Sequence, residues 1–273
     1  MREISIEDVK DLQIDILTSI DEFCNKHKIK YSLSSGTLIG AIRHKGYIPW
    51  DDDIDIMMPR CDYDHFINTF NGAFKHLSLM SPEINPDYYA PYANVYDNRT
   101  LLLEGSNGHR GMPIGVKIDV FPIDKVSEDN VSYINDMHRV ERINHIMYIK
   151  RLVNVFSSGW RIVTVMKICI LKTVFFFIPY SFLQRKIKEI AVNPRNADSS
   201  FVDNVVYNIY YRKCPKFKSS ILESYINLPF EGRKFSAVKD YDEVLRKMYG
   251  DYMQLPPEDK RVPHHNFEAY WIN

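Results

Sequence analysis

Apolar positions recur at helical spacing almost from the start of the chain. In SIEDVKDLQIDILTSIDEFCNKHK, Val9, Leu12, Ile16, Ile20 and Phe23 fall on one face, and Ser5 with Asp8 has the form of a capping box. The spacing predicts an amphipathic helix. IKYSLSS then reads as a short strand ending at Gly36, and TLIGAIRHKG as a helix from about Thr37 to near Gly46. After the Pro49-Trp50 turn, DIDIMM alternates acidic and apolar side chains with the period of a strand, and DYDHFINTFNG returns to helical spacing. Further strands are predicted at HLSLMS, YANVYDN, TLLLEG and GVKIDVFPID, so residues 1–126 read as a mixed core of strands and helices.

From about Ser127 the period changes. Residues 127–220 read as mainly helical up to Val192, with turn formers and short β-prone pieces after that. Within them, RIVTVMKICILKTVFFFIPYSFLQRK is the most apolar part of the chain, interrupted by Lys167, Lys172 and Pro179. Its uninterrupted runs fall short of the ~20 apolar residues a bilayer span needs. A core or packing helix is the favoured reading; the alternative is a basic-flanked helix lying on a membrane surface through residues 161–183. Residues 221–273 hold a helix, YDEVLRKMYG, closed by Gly250, and then a polar, Pro-rich tail expected to pack back on the core.

Composition narrows the class without naming it. The 273 residues are 45% hydrophobic and 26% charged, enough for one large domain or two small ones. Thirty-five basic residues balance 35 acidic ones, so overall electrostatics demand neither a nucleic acid nor an anionic membrane, and any such contact must be local. Cys24, Cys61, Cys169 and Cys214 are widely spaced with no C-x-x-C pair, and the N-terminal MREISIEDVKDLQ lacks the apolar core of a signal peptide. A reducing cytoplasm is the expected compartment, and no structural zinc is expected.

The chemistry is concentrated in PWDDDIDIMMPR. Four aspartates in five residues, entering an apolar strand, repel one another and are costly to bury unless a cation joins them. On a strand, Asp53 and Asp55 share a face while Ile54 and Ile56 point to the other. Two such carboxylates suit Mg²⁺ or Mn²⁺, with Asp119 of VKIDVFPID as the best third ligand and Asp124 as the fallback. Asp51, Asp53 and Asp55 also match the first three ligand positions of an EF-hand, but Ile56 and Asp62 stand where that loop requires Gly and Glu. Capping of the next helix accounts for Asp51 or Asp52 equally well, though not for Asp55.

Seventeen residues before Asp53, Gly36 and Thr37 form a strand–turn–helix junction whose free N–H groups favour a phosphate. Arg43, His44 and Lys45 end that helix, where they offset its dipole or reach a phosphate. Asp52 and Lys117, adjacent to the predicted ligands, join the substrate-binding candidates. Trp50 and Tyr47 either brace their turn or stack on a base or a quaternary ammonium head group.

The stretches SSGTLIGAIRHKGYIPWDDDIDIMMPRCDYDHF, KIDVFPID and FSAVKDYDEVLRKMYGDYMQLPPEDKRVPHH resemble the LicD family of bacterial phosphocholine transferases, to which fukutin-type phosphoribitol transferases are also similar. The resemblance implies an α+β, nucleotidyltransferase-type mixed sheet, related in plan to the catalytic domain of DNA polymerase beta. It implies that Gly36 and Thr37 fall on that superfamily's glycine turn, Asp53 and Asp55 on its metal-binding D-x-D, and Asp119 on its third carboxylate. Thr37 departs from the usual Gly or Ser. Arg261, His264 and His265 would close over the phosphates. The implied reaction moves a phosphoalcohol, phosphocholine first among them, from a CDP-linked donor to a sugar hydroxyl of a surface glycan or teichoic-acid precursor. Two other classes stay open: a nucleotidyltransferase releasing pyrophosphate, and a non-catalytic, metal-stabilised binding module for glycan assembly.

Overall fold

A computed structural model of the chain describes residues 1–104, 114–152, 162–207, 216–262 and 267–272. The first strand, β1 (Arg2–Glu3), precedes α1 (Ile6–His27), which Ser5 caps by accepting the Asp8 N–H at 3.1 Å. The chain continues through β2 (Ser32–Leu33), α2 (Ser35–Arg43), β3 (Asp55–Pro59), α3 (Arg60–Thr69), β4 (Leu77–Met80), β5 (Ala93–Asp97), β6 (Thr100–Glu104) and β7 (Lys117–Lys125). Three helices follow: α4 (Asn130–Arg151), α5 (Ile162–Phe176) and α6 (Tyr180–Ala191). The remainder is β8 (Phe201–Asp203), β9 (Phe217–Lys218), the hairpin β10 (Tyr225–Phe230) with β11 (Arg233–Val238), α7 (Tyr241–Tyr249) and β12 (Phe267–Trp271).

The main sheet runs β2-β3-β7-β5-β4, with β8 and β9 extending it from the end of β7. β3 and β7 are parallel and the other pairs antiparallel, so the architecture is a mixed α+β one. Period-two alternation sorts the central strands. Ile54, Ile56, Met58, Ile118 and Val120 are fully buried in the core shared with α1, α2 and α3. Met57, Phe121 and Ile123 point to the other face, where Phe217, Ile221 and Val244 form a second cluster. The β10–β11 hairpin and α7 contribute to both clusters.

Three expectations change. The predicted strand through Asp53 starts two residues later, at Asp55; pairing with β7 reaches back only to the Ile54 carbonyl, which accepts from Asp119 N–H at 3.0 Å. The polar, Pro-rich tail ends in a strand that no pattern marked, β12, which pairs with both β1 and β6. Of the stretch read as a core or packing helix, the α6 part is buried at Leu183 and Gln184, whereas in α5 Val165 is the only buried residue and most of the helix is not core. No single described helix is long and apolar enough to cross a membrane.

Candidate active site

Two sequence features meet where β3 and β7 begin. Asp55 and Asp119 are register partners on these parallel strands, so their side chains emerge side by side on the face away from the main core. Above them the 51–53 loop folds onto the N-terminus of α2. A side chain at Gly36 would collide with Asp51, whose Oδ2 lies 2.5 Å from where a Cβ would sit. Glycine therefore permits the close approach of an acidic loop to a helix N-terminus. Ser35, at φ +48°, takes the sharp turn into that helix.

Thr37 has another task than the expected one. It is buried, and its Oγ1 accepts the Asp55 N–H at 2.9 Å, tying α2 to the start of β3. The Ser34 N–H donates to the Asp55 carbonyl at 3.0 Å, a second tie at the same residue. Gln13 of α1 secures the loop from below, donating to the Asp52 carbonyl at 3.1 Å and the Lys117 carbonyl at 3.4 Å.

Electrostatically the cluster is strained toward protonation or cation capture. Burial, then the charges of Asp53, Asp119 and Asp51, push the Asp55 carboxyl well above the ordinary carboxylate range, with Lys117 offsetting part of this. Among the described residues, the group of three or more carboxylates close enough to offer oxygens to one ion is Asp51, Asp52 and Asp53, whose donor atoms lie within 4.8 Å of one another. That set differs from the expected Asp53, Asp55 and Asp119. The Oδ1 of Asp119 instead accepts from Lys117 Nζ at 2.9 Å and from the Asn94 side-chain amide. Asn94, fully buried, in turn accepts from the Tyr88 hydroxyl. All of these are hard oxygen donors, the chemistry that suits Mg²⁺ or Mn²⁺.

A cavity of about 510 Å³ opens from the carboxylates. Ser34, Ser35, Gly36, Asp51, Asp53 and Asp55 line one side together with Trp50. Met57, Phe121, Ile123, Val244 and Met248 supply apolar lining and Asp203, Asn204 and Tyr207 polar lining, whereas Asp119 does not line the cavity. Burial, then the charges of Asp119 and Asp55, raises the Tyr207 hydroxyl pKa, and its ring stacks against Phe121 with centroids 6.2 Å apart.

Other predicted residues separate from the cavity. Arg43 donates to the Tyr252 carbonyl at 2.6 Å and the Gln254 carbonyl at 3.4 Å, clamping the C-terminal segment to α2. Lys45 closes its own helix by donating to the Ile42 carbonyl at 3.0 Å. Tyr47 donates to Gln13 Oε1 at 2.8 Å with its ring against Phe230, so it braces the turn and does not line the cavity. Arg261 rests over the Trp50 ring at 5.9 Å, beside the mouth. Asp124 is spent on Arg60, accepting from Nε at 2.6 Å and Nη2 at 2.9 Å, which removes it as a fallback ligand. His264 and His265 lie outside the described residues.

Sequence reasoning missed Asn94, Asp203, Asn204 and Tyr207. YANVYDN is an ordinary strand pattern in which Asn94 has no local mark. The segment holding Asp203 to Tyr207 carries no motif, and only β8 pairing with the end of β7 brings it to the cavity.

A carboxylate cluster at a helix N-terminus, on the open face of a mixed sheet and beside a cavity of nucleotide size, defines an α+β protein suited to a phosphate ester. The model of the nucleotidyltransferase domain of LicD, FKTN and FKRP matches residues 28–147. The lipopolysaccharide cholinephosphotransferase LicD of Haemophilus influenzae is 31% identical over 274 residues, covering 99% of both chains. Shorter matches reach uncharacterised proteins of Rickettsia typhi, 40% identical over 67 residues (24% of this chain and 22% of the relative), and Rickettsia prowazekii, 46% over 50 residues (18% and 19%). The chain belongs to the LicD family.

Proposed function

We propose that this protein transfers phosphocholine from CDP-choline to a sugar hydroxyl of a glycan, releasing CMP, on a nucleotidyltransferase-type sheet. The observation that carries the reading is the pairing of Asp55 with Asp119 in parallel register, crowded by Asp53 and Asp51 at the N-terminus of α2. The cholinephosphotransferase name of the full-length relative supports the alcohol and the glycan class of acceptor.

Asp53, Asp55 and Asp119 would hold Mg²⁺ or Mn²⁺, with Asp51 and Asp52 beside them. Bound there, the cation neutralises the donor's pyrophosphate and the charge that develops on departing CMP. The chain's own groups supply the rest. The first-turn N–H groups of α2, at Ser35 and Gly36, face donor phosphate oxygens. Asn94 and Lys117 hold Asp119 so that it takes the proton of the acceptor hydroxyl. That hydroxyl oxygen attacks the distal phosphorus, the bond from this phosphorus to the bridging oxygen breaks, and CMP leaves with the electron pair. Met57, Phe121, Ile123 and Val244 exclude water from the reacting centre, while Trp50 and Tyr207 offer ring faces to the quaternary ammonium. Arg261 reaches the phosphates from beside Trp50. Residues 1–126 act as the catalytic core, residues 127–220 as a helical addition and residues 221–273 as a cover for the cavity. The chain works in the cytoplasm, and a lipid-borne acceptor would bring it to the inner face of the membrane.

The test is incubation with CDP-choline and a panel of other CDP-alcohols in Mg²⁺, with and without EDTA, followed by assay for CMP. EDTA-sensitive CMP release, even by slow transfer to water, is the expected result. Pyrophosphate release from a nucleoside triphosphate, with the nucleotide retained on an acceptor, would replace this reaction with nucleotidyl transfer. No turnover of any donor, with the Asp53→Asn and Asp119→Asn variants altering only stability, would leave a binding module.

A further inference from the structure

The α5 helix turns its apolar side chains outward. Ile162, Met166, Ile170 and Val174 recur every fourth residue and are 75, 59, 61 and 56% exposed. At 1.5 Å per residue they make a ridge about 18 Å long. Val163 widens it, and Phe176 and Phe177, 75 and 80% exposed, extend it to the break where the chain bends by 85° into the next helical segment. Among the described residues, the apolar contacts of α5 with the domain run through Val165, Ile168 and Cys169, packed against Leu152, whose carbonyl also accepts from Lys172 Nζ. The end of the ridge is nonetheless pinned, because Lys150 Nζ donates to the carbonyls of Phe175 and Ile178 at 2.8 Å each. A contiguous apolar face of this size on a folded domain marks an interaction surface.

Charge identifies what it meets. Between Arg142 and Lys188 the sequence holds nine Lys and Arg and no Asp or Glu, although the whole chain balances 35 basic against 35 acidic residues. Lys167 lies along the edge of the ridge, and Arg185 and Lys186 stand over the exposed ring of Phe182 at 5.5 and 5.8 Å. An apolar ridge in so cation-rich a segment, even with Arg185 and Lys186 also paired to Glu189, complements a surface that is apolar beneath and negative on top, which is the boundary of an anionic bilayer. The ridge is too short to span one.

We propose that α5 docks the protein on anionic lipid, lying flat with Ile162, Met166, Ile170 and Val174 among the upper acyl chains and Lys167, Arg185 and Lys186 at the headgroups. This docking rests on exposure and charge, independently of the transfer chemistry, and its test needs no substrate. The full chain is floated with vesicles of phosphatidylcholine plus phosphatidylglycerol and with vesicles of phosphatidylcholine alone. The expected result is flotation with the mixed vesicles, weakened by salt, and at least about ten-fold weaker binding for Met166→Glu/Ile170→Glu. A second variant, Phe176→Gln/Phe177→Gln at the bend, should lose binding too and covers the case in which the first misfolds. The proposal is overturned if the parent chain floats with neither vesicle, or if both variants float as well as the parent. It is also overturned if the parent is a dimer in sedimentation without lipid, fails to float, and becomes monomeric on substitution; the face then belongs to a second copy.

Discussion

The β3–β7 face and the α5 helix are both rich in Ile, Met, Val and Phe, yet they spend them in opposite directions. In the sheet, Ile54, Ile56, Met58, Ile118 and Val120 disappear completely into the core, and the polar residues left over on the other face are carboxylates. In α5, most apolar residues face out, Val165 alone is buried, and Ile168 and Cys169 are partly covered beside it. The first arrangement places carboxylates against apolar walls with Lys117 offsetting part of their charge, and a further cation would stabilise it; the second places apolar surface against water, which an apolar partner would relieve. Each region is incomplete in the currency the other has in excess. The two are connected through the fold. Gln184 of α6 donates at 2.9 Å to the carbonyls of both Tyr88 and Ala90, the Tyr88 hydroxyl reaches Asn94, and Asn94 reaches Asp119.

The largest expected effect separates the regions most sharply. Asp55→Asn should lower CMP release from CDP-choline by roughly 10²–10³-fold, while raising the melting temperature of metal-free protein by relieving charge crowding. Activity assays and thermal melts in EDTA read the two together, and a loss of both activity and stability would assign Asp55 to the scaffold. Asn94→Leu should cost roughly 10–100-fold in activity or cation affinity by releasing Asp119; Asn94→Asp, which cannot donate, should not rescue it. Gln184→Leu, at the link between the regions, should lower stability by about 1–3 kcal/mol in denaturant titration, with only a few-fold change in activity.

The pH dependence follows from Asp55. Its folded pKa lies above the value of about 3.9 expected in the unfolded chain, so the folded state holds the extra proton between the two. Metal-free stability contributed by this group is therefore present below the unfolded pKa and falls as pH rises through the folded one. A divalent cation that displaces the proton should bind more tightly as pH rises, and melts in EDTA and in Mg²⁺ should diverge upward in pH. The smallest effect is expected at the other region: Met166→Glu/Ile170→Glu should leave lipid-free stability within about 0.5 kcal/mol and CMP release from CDP-choline unchanged. A large change in either would mean that α5 supports the site directly.

Local pattern by itself determined a good deal of this protein. The alternation of acid and apolar residues around Asp55 and Asp119, the Ser5 cap, the helix after Gly36 and the stop at Gly250 are all written within a turn or a strand, because backbone periodicity and capping act over a few residues. What the tertiary structure alone decided is non-local. The register that sets Asp55 beside Asp119 spans 64 positions of sequence, and the hydrogen bond from Asn94 to Asp119 crosses between strands. Pairing of β8 with β7 carries Asp203 and Tyr207 to the cavity, and Lys150 pins the end of α5 while its apolar face stays outside. Hydrophobicity says that a side chain will leave water if it can; only packing says whether this chain supplies the place to go.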